Sequence, residues 1–211
     1  MRILFAGTPQ VAVTSLDYLY EAGFEIAAVL TRPDAPLGRK RVLTPSPVAA
    51  RAEELGLPII KAAKITEETT AELQALNLEA AAIVAYGGLV PEAALQVPTH
   101  GWINLHFSLL PHWRGAAPVQ HSIIHGDDIT GAVTFQLETG LDTGPVFGQV
   151  TERIDELDTA GIMLERLGHS GSTLLVQTLQ ALESGQAVAV AQSGSHTYAP
   201  KITDIDAELD F

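Results

Sequence analysis

The first 31 residues alternate between apolar stretches and one amphipathic segment, and this order constrains the fold more than any other feature of the chain. Residues 2–6 are mostly apolar and end at the turn Gly7-Thr8-Pro9. Residues 11–22 carry apolar side chains at helical spacing, and residues 24–31 are again apolar. A strand, a helix and a strand in so short a stretch predict two parallel strands joined by a right-handed crossover.

The chain repeats this alternation along most of its length. Further strands are predicted at residues 80–86, 101–109, 130–137, 145–154 and 188–192, and one long helix or two shorter ones at residues 159–185. We therefore expect an α/β fold with a doubly wound, mostly parallel sheet over residues 1–190, followed by an irregular segment at residues 191–211. Such sheets bind ligands at the carboxyl ends of their strands, where the direction of winding reverses.

The composition excludes several classes of protein. The 211 residues include no cysteine, which excludes disulfides, zinc ribbons and thiol catalysis. The N-terminus does not resemble a secretion signal, and no apolar stretch approaches the length of a membrane span. We therefore expect a soluble protein in the cytoplasm, with no membrane partner. We also expect the protein to be a monomer.

The charge is distributed unevenly. The net charge of −13 argues against a nucleic-acid partner, because binding phosphates requires a basic surface. However, four of the twelve cationic residues fall within ten positions, at Arg32, Arg39, Lys40 and Arg41. Residues 33–47 also contain four prolines, so we predict a long irregular loop there. Charge alone leaves two interpretations open, a solvated loop or a binding loop.

Residues 101–109 alternate between polar and apolar side chains. Asn104, His106 and Ser108 fall on one face of the predicted strand, whose other face is apolar. The pattern is typical of a half-exposed strand with a hydrogen-bonded histidine, but it also suits a catalytic site. Asn104 and His106 would lie about 7 Å apart, close enough for both to address one carbonyl group by hydrogen bonding and proton donation.

An acidic turn follows at residues 140–144, which read Gly-Leu-Asp-Thr-Gly. In one interpretation Asp142 serves only the local turn, as aspartates between strands often do. Alternatively, its carboxylate reaches His106 and raises the pKa of that imidazole, which would hold the ring cationic and oriented.

Three other chemistries fit the residues poorly. Ser108, His106 and Asp142 do not form a serine hydrolase triad, because the chain lacks a Gly-x-Ser-x-Gly elbow. His121 and His125 share a helical face, but the glutamate of a His-Glu-x-x-His zinc site is missing, so no metal is expected. The turn at residues 7–9 lacks the glycine spacing of a nucleotide-binding loop.

The chain resembles the folate-dependent formyltransferases at two segments. Residues 104–111 read Asn-Leu-His-Phe-Ser-Leu-Leu-Pro and resemble the signature of that superfamily, and residues 140–144 resemble its acidic turn. Residues 5–9, 44–48, 85–87, 113–118 and 197–201 are similar to segments of the methionyl-tRNA formyltransferase family in particular. The resemblance extends over essentially the whole chain.

The resemblance implies a Rossmann-like enzyme that transfers the formyl group of 10-formyltetrahydrofolate, without a metal, to the α-amine of methionine on initiator tRNA. It implies three catalytic residues, with Asn104 and a cationic His106 stabilising an oxyanion and Asp142 supporting His106. The folate-binding residues it implies are Ser108, Leu109, Leu110, Pro111, Tyr86, Gly87, Gly88, Leu89 and Val90. The implied tRNA-binding residues are Arg39, Lys40 and Arg41.

Relatives in this family continue into a basic β-barrel, so residues 191–211 are expected to lead towards a C-terminal domain that this chain does not contain. Three rival functions stay open on the same resemblance. A sugar-nucleotide formyltransferase and a non-catalytic folate-binding module both fit the folate signature. A glycinamide ribonucleotide formyltransferase fits residues 44–48 and 113–118 less well.

Overall fold

A seven-stranded sheet forms the centre of the computed structural model, which describes residues 1–207. The strands, in chain order, are β1 Arg2–Gly7, β2 Glu25–Thr31, β3 Ala35–Leu37, β4 Val42–Thr44, β5 Ile59–Lys61, β6 Ala80–Val84, β7 Trp102–His106, β8 Arg114–Gly115, β9 Ile129–Gln136, β10 Val146–Arg153 and β11 Tyr198–Ala199. The helices are α1 Gln10–Glu21, α2 Pro47–Glu54, α3 Glu67–Gln74, α4 Glu92–Leu95, α5 Pro118–Ile124 and α6 Ala160–Glu183, with a 3₁₀ turn at Asp204–Ala207.

The order of the sheet is β10-β9-β7-β6-β1-β2-β5. The pairs from β7 to β5 are parallel, whereas β9 is antiparallel to both β7 and β10. This confirms the predicted doubly wound, mostly parallel sheet. After β1 the chain adds β2 and β5 on one side, and then it adds β6 and β7 on the other. The reversal between β1 and β6 brings the carboxyl ends of β1, β6 and β7 to one rim.

Helices cover both faces of the sheet. Apolar side chains of α1, α2 and α6 pack on one face, and those of α3 and α4 pack on the other. Helix α6 is one continuous helix, and Gly171 lets it approach closely because a Cβ there would lie 3.1 Å from the side chain of Leu105. Among residues 1–207, no helix combines the length and apolar character needed to cross a bilayer.

Two sequence predictions need correction in the connecting segments. Residues 33–47 do not form a wholly irregular loop, because β3 and β4 pair as an antiparallel hairpin. Pro36 is tolerated there because the two-stranded ribbon leaves one edge of each strand unpaired. The strand predicted at residues 188–192 is reduced to a single bridge, in which Val146 and Val190 exchange two backbone hydrogen bonds of 2.8 Å.

The segment after residue 190 also contains local structure. Strand β11 pairs in parallel with β8, in register Tyr198 to Arg114 and Ala199 to Gly115. The expected irregular segment therefore folds back against the loop that follows β7. Residues 208–211, the end of that expected segment, lie outside the described residues.

Candidate active site

A cavity of about 640 Å³ opens at the rim where the strand order reverses. Its walls come from the ends of β6 and β7, the start of α5 and the acidic turn between β9 and β10. The residues predicted to be catalytic, Asn104, His106 and Asp142, all line this cavity. The structure therefore brings together three side chains from segments separated by up to 38 positions.

His106 ends β7 and is only 6% exposed. Its Nε2 lies 2.9 Å from the carbonyl oxygen of Trp113, and because a carbonyl can only accept, Nε2 must donate. Its Nδ1 lies 3.8 Å from Oδ2 of Asp142. In the neutral ring, therefore, the lone pair is on Nδ1, at the cavity wall beside the carboxylate.

Asp142 is held at the tip of the β9–β10 connection. Its backbone has a φ of 50°, in the left-handed region that non-glycine residues rarely adopt. Oδ2 accepts a hydrogen bond of 2.8 Å from the backbone N–H of Gly115, and the residue is 8% exposed. The carboxylate thus serves two distant segments, β7 through His106 and β8 through Gly115, rather than only its own turn.

The protonation of His106 depends on opposing influences. Burial lowers the pKa of His106 below its ordinary value of 6.5, although the Asp142 carboxylate and the Trp113 carbonyl act in the opposite direction. The lowered pKa favours the neutral imidazole in the free protein. Removing the buried ring from water opposes the cationic form that the resemblance implies, and the carboxylate 3.8 Å away favours it, so a cationic His106 stays a prediction.

Asn104 lies two residues before His106 on the same face of β7 and is half-buried at the cavity wall. On the opposite face, Ile103, Leu105 and Phe107 pack into the core. The predicted alternation of polar and apolar faces is thereby confirmed. The carboxamide of Asn104 can donate a hydrogen bond into the cavity, next to the imidazole.

Residues 86–90 form another wall, and all five predicted residues of this segment line the cavity. The Tyr86 hydroxyl donates a hydrogen bond of 2.8 Å to the carbonyl of Ala62, and Thr8 donates one of 2.8 Å to the carbonyl of Tyr86. Gly87 has a φ of 79°, which favours glycine, and Leu89 is 89% exposed at the rim.

Arg32 supports the same wall, which the sequence did not reveal. Its guanidinium donates hydrogen bonds of 2.9 Å to the carbonyl of Gly87 and 3.0 Å to that of Ala63. In the sequence Arg32 belongs to the basic cluster, and no local pattern separates it from Arg39, Lys40 and Arg41. Its role depends on a contact 55 positions away.

The four predicted folate residues after β7 lie elsewhere. Ser108 is fully buried and donates a hydrogen bond of 2.6 Å to the carbonyl of His112, and Leu110 packs near Val133 and Phe135. Together with Leu109 and Pro111, these residues do not line the cavity formed by the described residues. They shape the loop that presents the Trp113 carbonyl to His106, and direct contact with folate stays a prediction for them.

Arg39, Lys40 and Arg41 lie at the tip of the β3–β4 hairpin, exposed to solvent. Gly38, with a φ of 69°, and Arg41, with a φ of 49°, form the reversal between the two strands. The three cations do not line the cavity formed by residues 1–207, so the structure separates them from the buried catalytic candidates.

His121 and His125 pack against the ring of Trp113. The rings of Trp113 and His121 stack with their centroids 5.7 Å apart, and the Trp113 indole donates a hydrogen bond of 2.7 Å to Asp127. Within residues 1–207, no three histidine or acidic side chains lie close enough together to share a metal ion.

The family model described as "Formyl transferase" matches residues 1–179 of the chain. The chain is also 67% identical, over 211 residues, to a methionyl-tRNA formyltransferase of Arthrobacter sp. (strain FB24), covering all of this chain and 69% of that protein. The chain belongs to the methionyl-tRNA formyltransferase family. A second member, from Streptomyces avermitilis, is 56% identical over 214 residues with the same coverage of 100% and 69%.

Solved structures of other formyltransferases have the same fold. An N-formyltransferase from Helicobacter canadensis, in complex with folinic acid and dTDP-3-aminofucose, matches 94% of this chain and 70% of its own, with a TM-score of 0.74 and 21% identity. A phosphoribosylglycinamide formyltransferase from Bacillus halodurans matches 87% of this chain and 96% of its own, with a TM-score of 0.73 and 20% identity. These likenesses confirm the α/β fold that the sequence of this chain predicted.

Proposed function

We propose that the chain transfers the formyl group of 10-formyltetrahydrofolate to the α-amine of methionine on initiator tRNA, the reaction that prepares this tRNA for translation initiation. The observation that carries the proposal is the position of His106, whose ring lies between the Trp113 carbonyl and the Asp142 carboxylate in a cavity that Asn104 also lines. Membership in the family supplies the two substrates.

The cavity fits the folate substrate in size and in lining. Its volume of about 640 Å³ lies in the range of small-molecule sites, roughly 300–1,000 Å³. Val90 and Leu141 offer apolar surface to a flat ring system, and the backbone of Gly87 and Gly88 offers hydrogen-bonding groups without side chains in the way. When bound there, 10-formyltetrahydrofolate supplies a formyl group carried on a nitrogen atom.

Asn104 stabilises the charge that develops in this reaction. As the amine attacks the formyl carbon, negative charge grows on the formyl oxygen. The Asn104 carboxamide donates a hydrogen bond from a β-strand that the core holds on its other side. A donor fixed before the reaction does not need to reorganise during it, and for this reason such donors are effective.

His106 moves the proton. The attacking amine must lose a proton as it becomes an amide, and Nδ1 of the neutral ring is the acceptor that the hydrogen bond to Trp113 leaves available. The resulting imidazolium is stabilised by Asp142, 3.8 Å away, and can pass the proton to the leaving nitrogen. The Trp113 carbonyl keeps the Nε2 proton in place throughout, which fixes the tautomer.

The β3–β4 hairpin binds the tRNA. Its tip presents Arg39, Lys40 and Arg41 to solvent on a chain whose net charge is otherwise strongly negative. Exposed guanidinium and ammonium groups attract phosphates without requiring a closed pocket. A cytoplasmic location and a monomeric state stay predictions from the sequence.

Radiolabelled formyl transfer tests the function directly. The chain is incubated with formyl-labelled 10-formyltetrahydrofolate in three parallel reactions. Each reaction contains one acceptor, which is methionyl-tRNA, N-acetylmethionyl-tRNA or an amino-sugar nucleotide. We expect label only on methionyl-tRNA, because N-acetylation blocks the attacking amine. Transfer to the amino-sugar nucleotide instead would assign the chain to a different acceptor, and folate binding without transfer to any acceptor would indicate a non-catalytic module.

A further inference from the structure

The side chain of Gln192 contacts the acidic turn from outside the cavity. Its Nε2 donates hydrogen bonds of 2.8 Å to the carbonyl of Asp142 and 2.8 Å to the carbonyl of Gly144. One carboxamide thus holds both ends of the three-residue stretch that carries the catalytic carboxylate. These contacts span 50 and 48 positions of sequence, so they belong to the tertiary structure and not to the turn itself.

The turn requires such support because Asp142 adopts a left-handed conformation. A non-glycine residue in that region is strained by about 1–3 kcal/mol and keeps its conformation only when the surrounding structure enforces it. The β9–β10 ladder is irregular between Val146 and Gly148, so regular pairing of the two strands does not extend unbroken to the turn. Of the two carbonyls bonded by Gln192, one belongs to the strained residue itself and the other lies two residues after it.

The other end of the same carboxamide reaches the loop that orients His106. Oε1 of Gln192 accepts a hydrogen bond of 2.6 Å from the guanidinium of Arg114. The neighbours of Arg114 contact both members of the pair, because the Trp113 carbonyl accepts from His106 and the Gly115 N–H donates to Asp142. A single side chain therefore joins the two segments that fix the imidazole and the carboxylate.

Gln192 is itself anchored on both sides. Two residues before it, Val190 exchanges two backbone hydrogen bonds of 2.8 Å with Val146. Five residues after it, the hydroxyl of Thr197 accepts a hydrogen bond of 2.9 Å from the Trp113 N–H, and its carbonyl accepts one of 2.9 Å from Arg114. The segment of residues 190–197 is thus held at both ends by hydrogen bonds to residues next to the site.

We propose that Gln192 is a positioning residue, which sets the separation between the Asp142 carboxylate and the His106 imidazole by tying the acidic turn to the Trp113–Gly115 loop. The inference rests on the proposed formyl transfer for its kinetic consequence but not for its structural one. Gln192 contacts neither reacting group, and it acts through the backbone of Asp142 and the side chain of Arg114.

Two substitutions separate the two halves of this role. Gln192→Ala removes the hydrogen bonds to the acidic turn and the one from Arg114. Gln192→Glu keeps an oxygen for Arg114 but places a carboxylate, which has no donor, against two carbonyl oxygens. We expect both variants to lower kcat by about 10- to 100-fold, as small displacements of catalytic groups do, with the KM for folate changed little. Gln180→Ala, the same change on the exposed face of α6, should retain the wild-type kcat.

If Gln192→Glu keeps the wild-type kcat, the proposal is overturned, because the turn then does not need the donor. A fall in kcat of the same size in Gln180→Ala would also overturn the proposal, since the effect would then not be specific to Gln192.

A second readout does not depend on formyl transfer. The imidazole of His106 is followed by nitrogen-15 NMR in the free protein, its resonance assigned by its loss in His106→Asn. If Gln192 holds the carboxylate near the ring, then in Gln192→Ala the pKa of His106 falls below its wild-type value, because the raising influence of Asp142 weakens. An unchanged titration would overturn the proposal even if kcat fell. If the wild-type chain transferred no formyl group at all, this comparison would still decide whether Gln192 positions the pair.

Discussion

The catalytic candidates and the basic hairpin are organised in opposite ways. His106 and Asp142 are buried, and backbone groups from distant segments hold them in place, among them the Trp113 carbonyl and the Gly115 N–H. The cations at the tip of the β3–β4 hairpin are exposed, in a two-stranded ribbon outside the main sheet. One region thus depends on tertiary geometry, and the other depends on the presence of charge.

This difference determines how each region should respond to change. A buried, hydrogen-bonded site loses its function when one contact moves, and ionic strength affects it little because the groups are shielded from solvent. An exposed cluster loses function gradually, roughly in proportion to the charge removed, and salt weakens it directly. Substitutions in the two regions should therefore differ in magnitude, in kinetic parameter and in salt dependence.

The largest effect should come from the catalytic candidates. Asn104→Ala, His106→Ala and Asp142→Asn should each lower kcat for formyl transfer by about 10²–10³-fold, as loss of a preorganised donor or charge typically does. Asp142→Asn is the most informative, because an asparagine oxygen can still accept from Gly115 while the charge is lost. Steady-state kinetics would measure the effect and circular dichroism would check the fold. Near-wild-type turnover in His106→Ala would remove the proton-transfer role from this residue.

Two glycines of the acidic turn provide a matched pair for stability. A Cβ at Gly144 would overlap the backbone carbonyl oxygen of Gln136, a residue held by its pairing with Ile103 of β7 and by the hydrogen bond from its N–H to the carbonyl of Pro145. The atoms nearest to a Cβ at Gly140 belong to the side chain of Thr143, whose hydroxyl makes the one severe overlap among them and can rotate away. We expect Gly144→Ala to lower the free energy of unfolding by about 2–3 kcal/mol or more, and Gly140→Ala by about 1 kcal/mol or less.

Urea denaturation of the two glycine variants would measure this difference. Because Gly144 adjoins the catalytic carboxylate, Gly144→Ala should also lose formyl transfer, whereas Gly140→Ala should retain most of it. Equal stabilities for the two variants would show that the turn is looser than the structure describes, and would weaken the contrast between a rigid site and a tolerant hairpin.

The sequence predicted those parts of the site that local patterns encode. Alternation along one strand was enough to place Asn104 and His106 on a common face, and the glycine-flanked turn was enough to single out Asp142. The Trp113 carbonyl, Arg32 and Gln192 were not predicted, because each acts through a contact between distant segments. A backbone carbonyl has no sequence signature, and arginine and glutamine are common surface residues.

The fold shows the same division. The buried strands follow from their hydrophobic patterns, which are continuous apolar runs in β1, β2 and β6 and an alternation of faces in β7. The β3–β4 hairpin was missed because Pro36 lies within it and its strands are exposed. Neither an alternation of apolar and polar residues nor the amino-acid composition therefore indicates a strand there. Strand β11 has only two residues, too few for any periodic signal, and its pairing with β8 depends on the rest of the fold.

A smaller effect is expected from the hairpin. Arg39→Ala should raise the KM for methionyl-tRNA several-fold, leave kcat and folate binding unchanged, and reduce the slope of log affinity against log salt by about 1. Arg153→Ala is the matched control, since this side chain is 86% exposed at the opposite end of the sheet. A fall in kcat with an unchanged salt dependence would show that the hairpin acts on the chemistry and not on binding.

The smallest expected effect concerns the pH dependence of stability. The pKa of His106 is lowered by burial in the folded chain and has its ordinary value of 6.5 in the unfolded chain. Well above pH 6.5 the ring is neutral in both states, so it causes no pH dependence there. As the pH falls below that value, the unfolded chain binds a proton that the folded chain does not, and the folded state loses stability.

The wild type should therefore lose more stability than His106→Asn between pH 7 and about pH 5, because only the wild type has a buried imidazole to protonate. Denaturation curves at a series of pH values, taken as the difference between the two proteins, remove the contribution of the other histidines. The opposite sign, with the wild type gaining stability relative to His106→Asn as the pH falls, would mean that Asp142 outweighs burial and that the folded ring is cationic. In that case His106 would begin the reaction as a proton donor, and the base that accepts the amine proton would have to be found elsewhere in the cavity.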